Sequence, residues 1–264
     1  MARITAVVNQ KGGVGKTTTA VNLAALLARE GRHVLLVDAD PQGNASSGLG
    51  IERRALPACL YDALIGAAPL ADVLVETRWP GLAVAPATLN LAGLEVELAV
   101  RDEGAGWRER RLADALGPVA ERFDVVVIDA PPALGLLTVN ALVAADGVLI
   151  PVQAEYYALE GLSQLLNTVQ FVQRRLNPRL DLDGVLLTMY DPRTNLARQV
   201  AHEVRGFFGN RACNVVIPRN IRLSEAPSFG EPVSIFAPDS AGARAYGELA
   251  RELAGRLGLA VAAA

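Results

Sequence analysis

The feature that most restricts the fold is a set of short, β-branched runs in which no polar residue interrupts the apolar ones. DVVVI at 124–128 and HVLLV at 33–37 are the clearest, and ITAVV, LAVA, GVLIPV, GVLLT and NVVI share the habit. A strand with one wet face alternates apolar and polar residues, whereas a run without alternation must be covered on both faces. Helical stretches lie between these runs: TTTAVNLAALLARE, ERRLADALGPVAERF, LEGLSQLLNTVQFVQRRL and LARQVAHEVRGFF. The pattern predicts an α/β chain, a doubly wound, mostly parallel sheet with helices on both faces. The 264 residues suffice for a large core, and 1–264 is expected to form a single domain. Two segments are too rich in turn formers to be regular, DPQGNASSGLG within 39–50 and PRNIRLSEAPSFGEP at 218–232. Long irregular segments of this kind tend to carry function.

The first strand runs into NQKGGVGKTTT at 9–19 and then into a helix. Gly12, Gly13 and Gly15, with Val14 between them, let backbone N–H groups converge on phosphate oxygens at a helix N-terminus. Lys16 would reach the β- and γ-phosphates and the Thr17 hydroxyl would ligate Mg²⁺, with Thr18 next in the nucleotide-contacting loop. The loop departs from G-x-x-x-x-G-K-[ST] by having Gln10 where the first Gly would stand. It also carries a second lysine. Of the 25 basic residues, 23 are arginine, and Lys11 and Lys16 are the only lysines. Both positions therefore call for a compact ammonium on a flexible stem rather than a planar fork.

Two further strands end in aspartate. HVLLVDADP places Asp38 at a strand end and Asp40 two residues on, and DVVVIDAPP ends at Asp129. Ligands bind beyond the carboxyl ends of strands in an open parallel sheet, so three aspartates there complete a pocket for Mg²⁺ and ATP or ADP. Asp38 fits either the Mg²⁺ shell or the capping of a turn. Cys59 and Cys213 have no C-x-x-C or histidine cluster beside them and read as small buried apolar residues. The apolar run at the N-terminus is too short for a signal peptide, and no stretch approaches the ~18 apolar residues of a membrane span. A cytoplasmic location is expected. The net charge of −3 argues against a globally basic nucleic-acid binder, yet residues 174–222 hold nine Arg against four acids.

The loop KGGVGKT resembles the deviant Walker A loop of the ParA/MinD group of P-loop ATPases. VDADPQGNASSGLG, IDAPPALGLLTVNAL, IPVQAEYYALEGLSQLLNT and IPRNIRLSEAPSFGEP are similar to the ParA/Soj chromosome-partitioning branch, over nearly the whole chain. The resemblance implies a slow ATPase working as an ATP-dependent homodimer. Lys11 would cross the interface of a nucleotide-sandwich dimer to the partner's phosphates. Lys16 would stabilise the transferring phosphoryl group, Asp40 would orient the attacking water and Asp129 would hold Mg²⁺ through a water. Pro218 and Asn220 match the loop that cups the adenine. Arg193, Arg219 and Arg222 match positions that contact non-specific double-stranded DNA, and a ParB-type centromere-binding protein would stimulate hydrolysis. Location on the nucleoid follows from the same resemblance. The sequence begins at the nucleotide strand, so no operator-reading helix-turn-helix is expected ahead of it.

The nearest alternative is a MinD-like membrane-associated ATPase, which needs a basic amphipathic C-terminal helix. Here Tyr246, Leu249, Leu253 and Leu257 form one stripe and Arg244 and Arg251 are balanced by Glu248 and Glu252, which is the pattern of core packing. A redox protein of the nitrogenase-iron-protein type would need a cysteine in the segment that directly follows Asp129, where Ala130 stands instead. A small-molecule kinase would need an acceptor pocket, for which the sequence carries no positive sign.

Overall fold

A computed structural model of the chain describes residues 2–101, 104–155 and 158–259. Tyr156, Tyr157 and residues 260–264, which belong to segments read above, lie outside the described residues. The strands are β1 (Arg3–Val7), β2 (Val34–Asp38), β3 (Val75–Glu76), β4 (Leu82–Ala85), β5 (Val125–Asp129), β6 (Gly147–Gln153), β7 (Asp181–Tyr190) and β8 (Ala212–Pro218). They form one eight-stranded sheet in the order β3-β4-β2-β5-β1-β6-β7-β8. Every pairing is parallel except that of the short edge strand β3 with β4.

All seven apolar runs are strands, and the reason is visible in their burial. Val34 and Leu36 of β2 face one core while Leu35 and Val37 face the other, and Val125 and Val127 of β5 likewise oppose Val126 and Ile128. Each of these residues is buried. Truncating one of the leucines to Ala would cost about 2–5 kcal/mol through lost transfer energy and the cavity left behind.

The first long helix, α1 (Lys16–Arg29), follows the glycine loop, and α2 (Asn44–Gly48) follows β2. Short helices α3 (Leu60–Leu64), α4 (Leu70–Val73), α5 (Leu94–Ala99) and α6 (Arg111–Leu116) add Leu60, Leu70, Leu94 and Leu112 to the core that also holds Leu35 and Ala83. Then come α7 (Leu136–Ala144), α8 (Ala158–Arg175), α9 (Asn195–Phe208), α10 (Arg222–Glu225), α11 (Val233–Phe236) and α12 (Ala241–Arg256). One core contains the inner faces of α1 and α12, and the other those of α7, α8 and α9. In α12 Tyr246, Leu249 and Leu253 are buried and Leu257 is half-buried, so the apolar stripe of that helix is occupied by the core. The Tyr246 hydroxyl meets the Thr19 hydroxyl at 3.1 Å, joining α12 to α1.

Three expectations need correction. ERRLADALGPVAERF is not one helix: α6 stops at Leu116, because Pro118 has no N–H to donate to the carbonyl four residues back. The two turn-rich segments are more regular than expected, since α2 lies in the first and α10 followed by a 3₁₀ turn at Ala226–Phe229 lies in the second. Each is a single short turn, and α2 is stabilised by an aspartate brought from another element. The two-residue strand β3 is too short to leave a periodic trace.

The register sets the site. Val7 lies beside Asp129, and Asp129 lies beside Asp38, so the ends of β1, β5 and β2 come level. The glycine loop leaves the sheet at that level. No helix among the described residues is long and apolar enough to cross a membrane.

Candidate functional site

The glycine loop is tied down at both ends. The Asn9 amide donates to the Pro151 carbonyl (2.7 Å) and its Oδ1 accepts from the Lys11 N–H (3.0 Å). Gln10, standing where the usual motif has Gly, donates to the Gly161 carbonyl at 2.8 Å and so ties the loop to α8. Gly15 caps α1 at φ 89°, a left-handed conformation that a side chain would strain. The Thr188 hydroxyl of β7 donates to the Val14 carbonyl at 2.8 Å. Lys16 folds back over the loop, donating to the Lys11 carbonyl at 3.0 Å, and is only 6% exposed. Burial lowers its pKa, while Asp129 and Asp40 pull it back up. An ammonium buried over a glycine loop at a helix N-terminus is placed to meet polyphosphate.

The three aspartates have different surroundings. Asp38 accepts from the Ser46 N–H (2.8 Å), the Ser46 hydroxyl (2.6 Å) and the Asp40 N–H (3.3 Å). Both its oxygens thus hold the turn into α2, which favours the capping role over the metal. Burial raises its pKa to about 6, against the lowering effect of the Ser46 bonds. Asp40 accepts from the Gln42 N–H at 2.9 Å and is nearly buried at the level of Lys16. Asp129 is 0% exposed, and no donor sits in full hydrogen-bond geometry at either oxygen, the Thr17 hydroxyl lying close by. Burial, then Asp38 and Asp40, push its pKa well above the usual carboxylate range, and Thr17 and Lys16 offset only part of that. A buried carboxylate without a well-placed donor is the vacant half of an ion contact, so Asp129 and the Thr17 hydroxyl suit a divalent cation.

Lys11 is exposed at the rim and pairs with Glu155. Beside Thr17 and Thr18 opens a cleft of about 380 Å³, whose far wall is Leu223, Ala226 and Pro227. Pro218 ends β8, and the Asn220 Oδ1 accepts from the Arg222 N–H at 2.9 Å. Neither lines the cleft.

The arginines lie in two adjacent segments, Arg193 in the loop after β7, Arg219 in the loop after β8 and Arg222 at the start of α10. Tyr190 pairs with Pro218, and the Arg219 N–H donates to the Tyr190 carbonyl at 3.2 Å. Arg193 is clamped by Asp191, with Nη2–Oδ2 at 2.7 Å and Nε–Oδ1 at 2.9 Å. That pairing holds the Asp191 carboxyl down at about 2. Arg222 pairs with Glu225 at 2.8 Å. Arg198 joins the group, since its guanidinium donates to the Pro192 carbonyl at 2.6 Å. Between Thr188 and Tyr190 stands Met189 at φ 50°, the one non-glycine with positive φ among the described residues. Cys59 and Cys213 are buried free thiols, and burial pushes Cys213 up to about 12, which makes it inert as a nucleophile.

A family profile described as an AAA domain matches residues 2–182. Over 254 residues the chain is 56% identical to the sporulation initiation inhibitor protein Soj of Bacillus subtilis (strain 168), covering 96% of this chain and 99% of that protein. It is 54% identical over 253 residues to the chromosome partitioning protein ParA of Myxococcus xanthus (strain DK1622), with coverage of 96% and 88%. The chain belongs to the ParA/Soj family of chromosome-partitioning ATPases. A solved structure, cobyrinic acid a,c-diamide synthase of Mycobacterium smegmatis with bound ADP and magnesium, is 40% identical with a TM-score of 0.84. That match covers 98% of this chain and 96% of the other.

Seen as a partitioning ATPase, the chain brings the expected loop, Lys16, Asp38, Asp40 and Asp129 together at one sheet edge. Sequence reasoning missed the cleft wall at Leu223, Ala226 and Pro227, the Glu155 partner of Lys11, and the acids that hold Arg193 and Arg222. The cleft wall had a trace in the turn-rich 218–232 segment. The pairing of Lys11 with Glu155 spans 144 residues and leaves no local trace.

Proposed function

We propose that this ParA/Soj-type ATPase binds Mg·ATP at the glycine loop, closes into a nucleotide-sandwich dimer, and in that state holds double-stranded DNA without reading its sequence. Backbone N–H groups of residues 12–18 and the Lys16 ammonium take the phosphates, and the nucleoside occupies the cleft beside Thr17 and Thr18. Pro218 and Asn220, outside the cleft wall, meet the adenine on the strength of the family resemblance alone. Thr17 and Asp129 hold Mg²⁺, which supplies charge neutralisation on the phosphates when bound. Asp38 stays as the support of the Asp40 turn. Asp40 orients the attacking water, and Lys16 with Lys11 of the second protomer stabilises the charge that develops on the phosphoryl oxygens. To reach the partner's phosphates, Lys11 must leave Glu155.

One observation carries the coupling of nucleotide to DNA. Two residues apart on β7, the Thr188 hydroxyl holds the phosphate loop and the Tyr190 carbonyl holds Arg219, with left-handed Met189 between them. The phosphate loop and the arginine loops share one strand end. A protomer offers few arginines, and a dimer doubles them, which makes nucleotide the switch. A ParB-type centromere-binding protein stimulates hydrolysis and so releases the protein from the nucleoid in the cytoplasm.

The test is binding to random-sequence duplex at several salt concentrations, with ATP and with ADP. The expected result is ATP-dependent binding whose log affinity falls with log salt by about 0.9 per phosphate neutralised. No binding in either state would refute the DNA reading and send the protein to liposome co-sedimentation, the test of a MinD-like role.

A further inference from the structure

The two arginine segments carry two half-buried acids, Asp191 and Glu225, that sit on arginines assigned above to DNA. We propose that Asp191 and Glu225 are built-in competitors of DNA phosphate: each holds an interface arginine by the donors a phosphate would use, and DNA must displace it to bind. The proposal rests on the DNA reading above and adds a regulator to the same surface.

The geometry favours competition over structural support. Asp191 takes Arg193 through both Nε and Nη2, at 2.9 and 2.7 Å. That two-pronged edge is how guanidinium grips either a carboxylate or a phosphate. The Arg193 side chain is 87% exposed, and an ion pair so open to water contributes little to folding. The turn does not need it. The Arg193 N–H already donates to Asp191 Oδ1 (3.0 Å), the Thr194 N–H to the Asp191 carbonyl (3.1 Å), and the Thr194 hydroxyl caps α9. Glu225 meets Arg222 one helical turn on, at 2.8 Å, in an exposed pair. Arg219, between them, makes no ion pair among the described residues, and Arg198 donates to a carbonyl. Of the other acids near this stretch, Asp181 pairs with Arg211 and Asp183 with Arg3 at the opposite ends of the strands, and Glu231 pairs with Arg78.

The consequence is a weaker, less salt-sensitive grip than the arginine count implies. When DNA takes Arg193, the freed Asp191 recovers a cation from solution, which cancels the counterion that the phosphate releases. The net gain from that arginine is small, so a protomer alone holds DNA poorly and a dimer lets go quickly once it opens.

Asp191→Asn tests this directly, because the amide Oδ1 still accepts the Arg193 N–H and keeps the turn. In full-length protein with ATP, affinity for random duplex should rise about two- to fivefold per released pair at low salt. The log–log salt slope should steepen by about 0.9 per protomer. Glu225→Gln should act the same way, and the two should add. Arg193→Ala placed in the Asp191→Asn background should return the slope to the wild-type value. An unchanged affinity and slope would overturn the proposal, and a weaker binding would overturn it too, by making Asp191 a residue that presents Arg193. If wild type binds and the variants match it, only the competitor role fails. If neither wild type nor variants bind with ATP, the DNA reading fails and the competitor role falls with it.

Discussion

Replacing Asp129 by Asn should raise the thermal stability of the nucleotide-free protein and abolish its stabilisation by Mg·ATP. The carboxylate is 0% exposed, and no donor sits in full hydrogen-bond geometry at either oxygen. The influences that raise its pKa, burial first and then Asp38 and Asp40, outweigh those of Thr17 and Lys16 that lower it. A carboxyl whose folded pKa is raised binds its proton more tightly in the folded state than in the unfolded one. It therefore lowers stability above the folded pKa, and that cost fades as pH falls through it. Asparagine keeps the shape and drops the charge. An uncompensated buried ion costs several kcal/mol, and loss of the attraction to Lys16 returns part of this, leaving a net gain of roughly a kcal/mol or more. In a chain of this length each kcal/mol moves Tm by roughly 2–4 °C. Wild type saturated with Mg·ATP at a hundred times Kd should gain about 2.7 kcal/mol, and the variant should gain almost none. Scanning calorimetry near neutral and at mildly acid pH, with and without Mg·ATP, reads all of this. A variant that melts below wild type without nucleotide at neutral pH would refute the reasoning, as would an advantage that grows as pH falls.

Lys11→Gln should bind ATP normally yet stay monomeric, and an unchanged dimer fraction by light scattering would remove its role across the interface. Asp40→Ala should slow hydrolysis by about 100-fold or more and accumulate an ATP-bound dimer, which size exclusion with ATP would reveal. A purely monomeric elution would count against it. Gly15→Ala meets no neighbour closer than Thr188 Cγ2 at 3.8 Å, so its penalty is the backbone conformation at φ +89° alone. That strain should cost about 1–2 kcal/mol, read as a lower Tm together with weaker nucleotide binding.

Much of this was legible because parallel strands buried on both faces leave an unmistakable apolar run. VVVID and VLLVD named both their strands and the aspartates at their ends, and the glycine loop identified the helix that follows. The failures were of other kinds. ERRLADALGPVAERF kept a helical pattern across Pro118, where backbone chemistry overrides side-chain periodicity. Asn44–Gly48 looks like loop because its helical turn depends on Ser46 reaching Asp38, a contact eight residues long that no propensity encodes. The role of Asp38 stayed open for the same reason, since its partners come from α2 and not from its own strand. The nine-arginine stretch was found from charge, and Arg193 and Arg222 within it from the family resemblance. Charge alone also hid Asp191 and Glu225, because a count of nine arginines says nothing about which of them are already spoken for.

The loop that carries Asp40 and the segment that carries Arg219 and Arg222 also meet. A methyl group on Gly230 would stand 2.7 Å from the Gly50 Cα, and one on Gly50 3.4 Å from the Gly230 carbonyl oxygen, both glycines having positive φ. Arg78 adds a third member, donating to that same carbonyl at 3.0 Å. For anyone grafting segments between relatives to alter DNA affinity or turnover, 218–232 is therefore not an independent cassette. It has to travel with 40–51, as the two halves of one seam, or both halves must keep glycine where they touch.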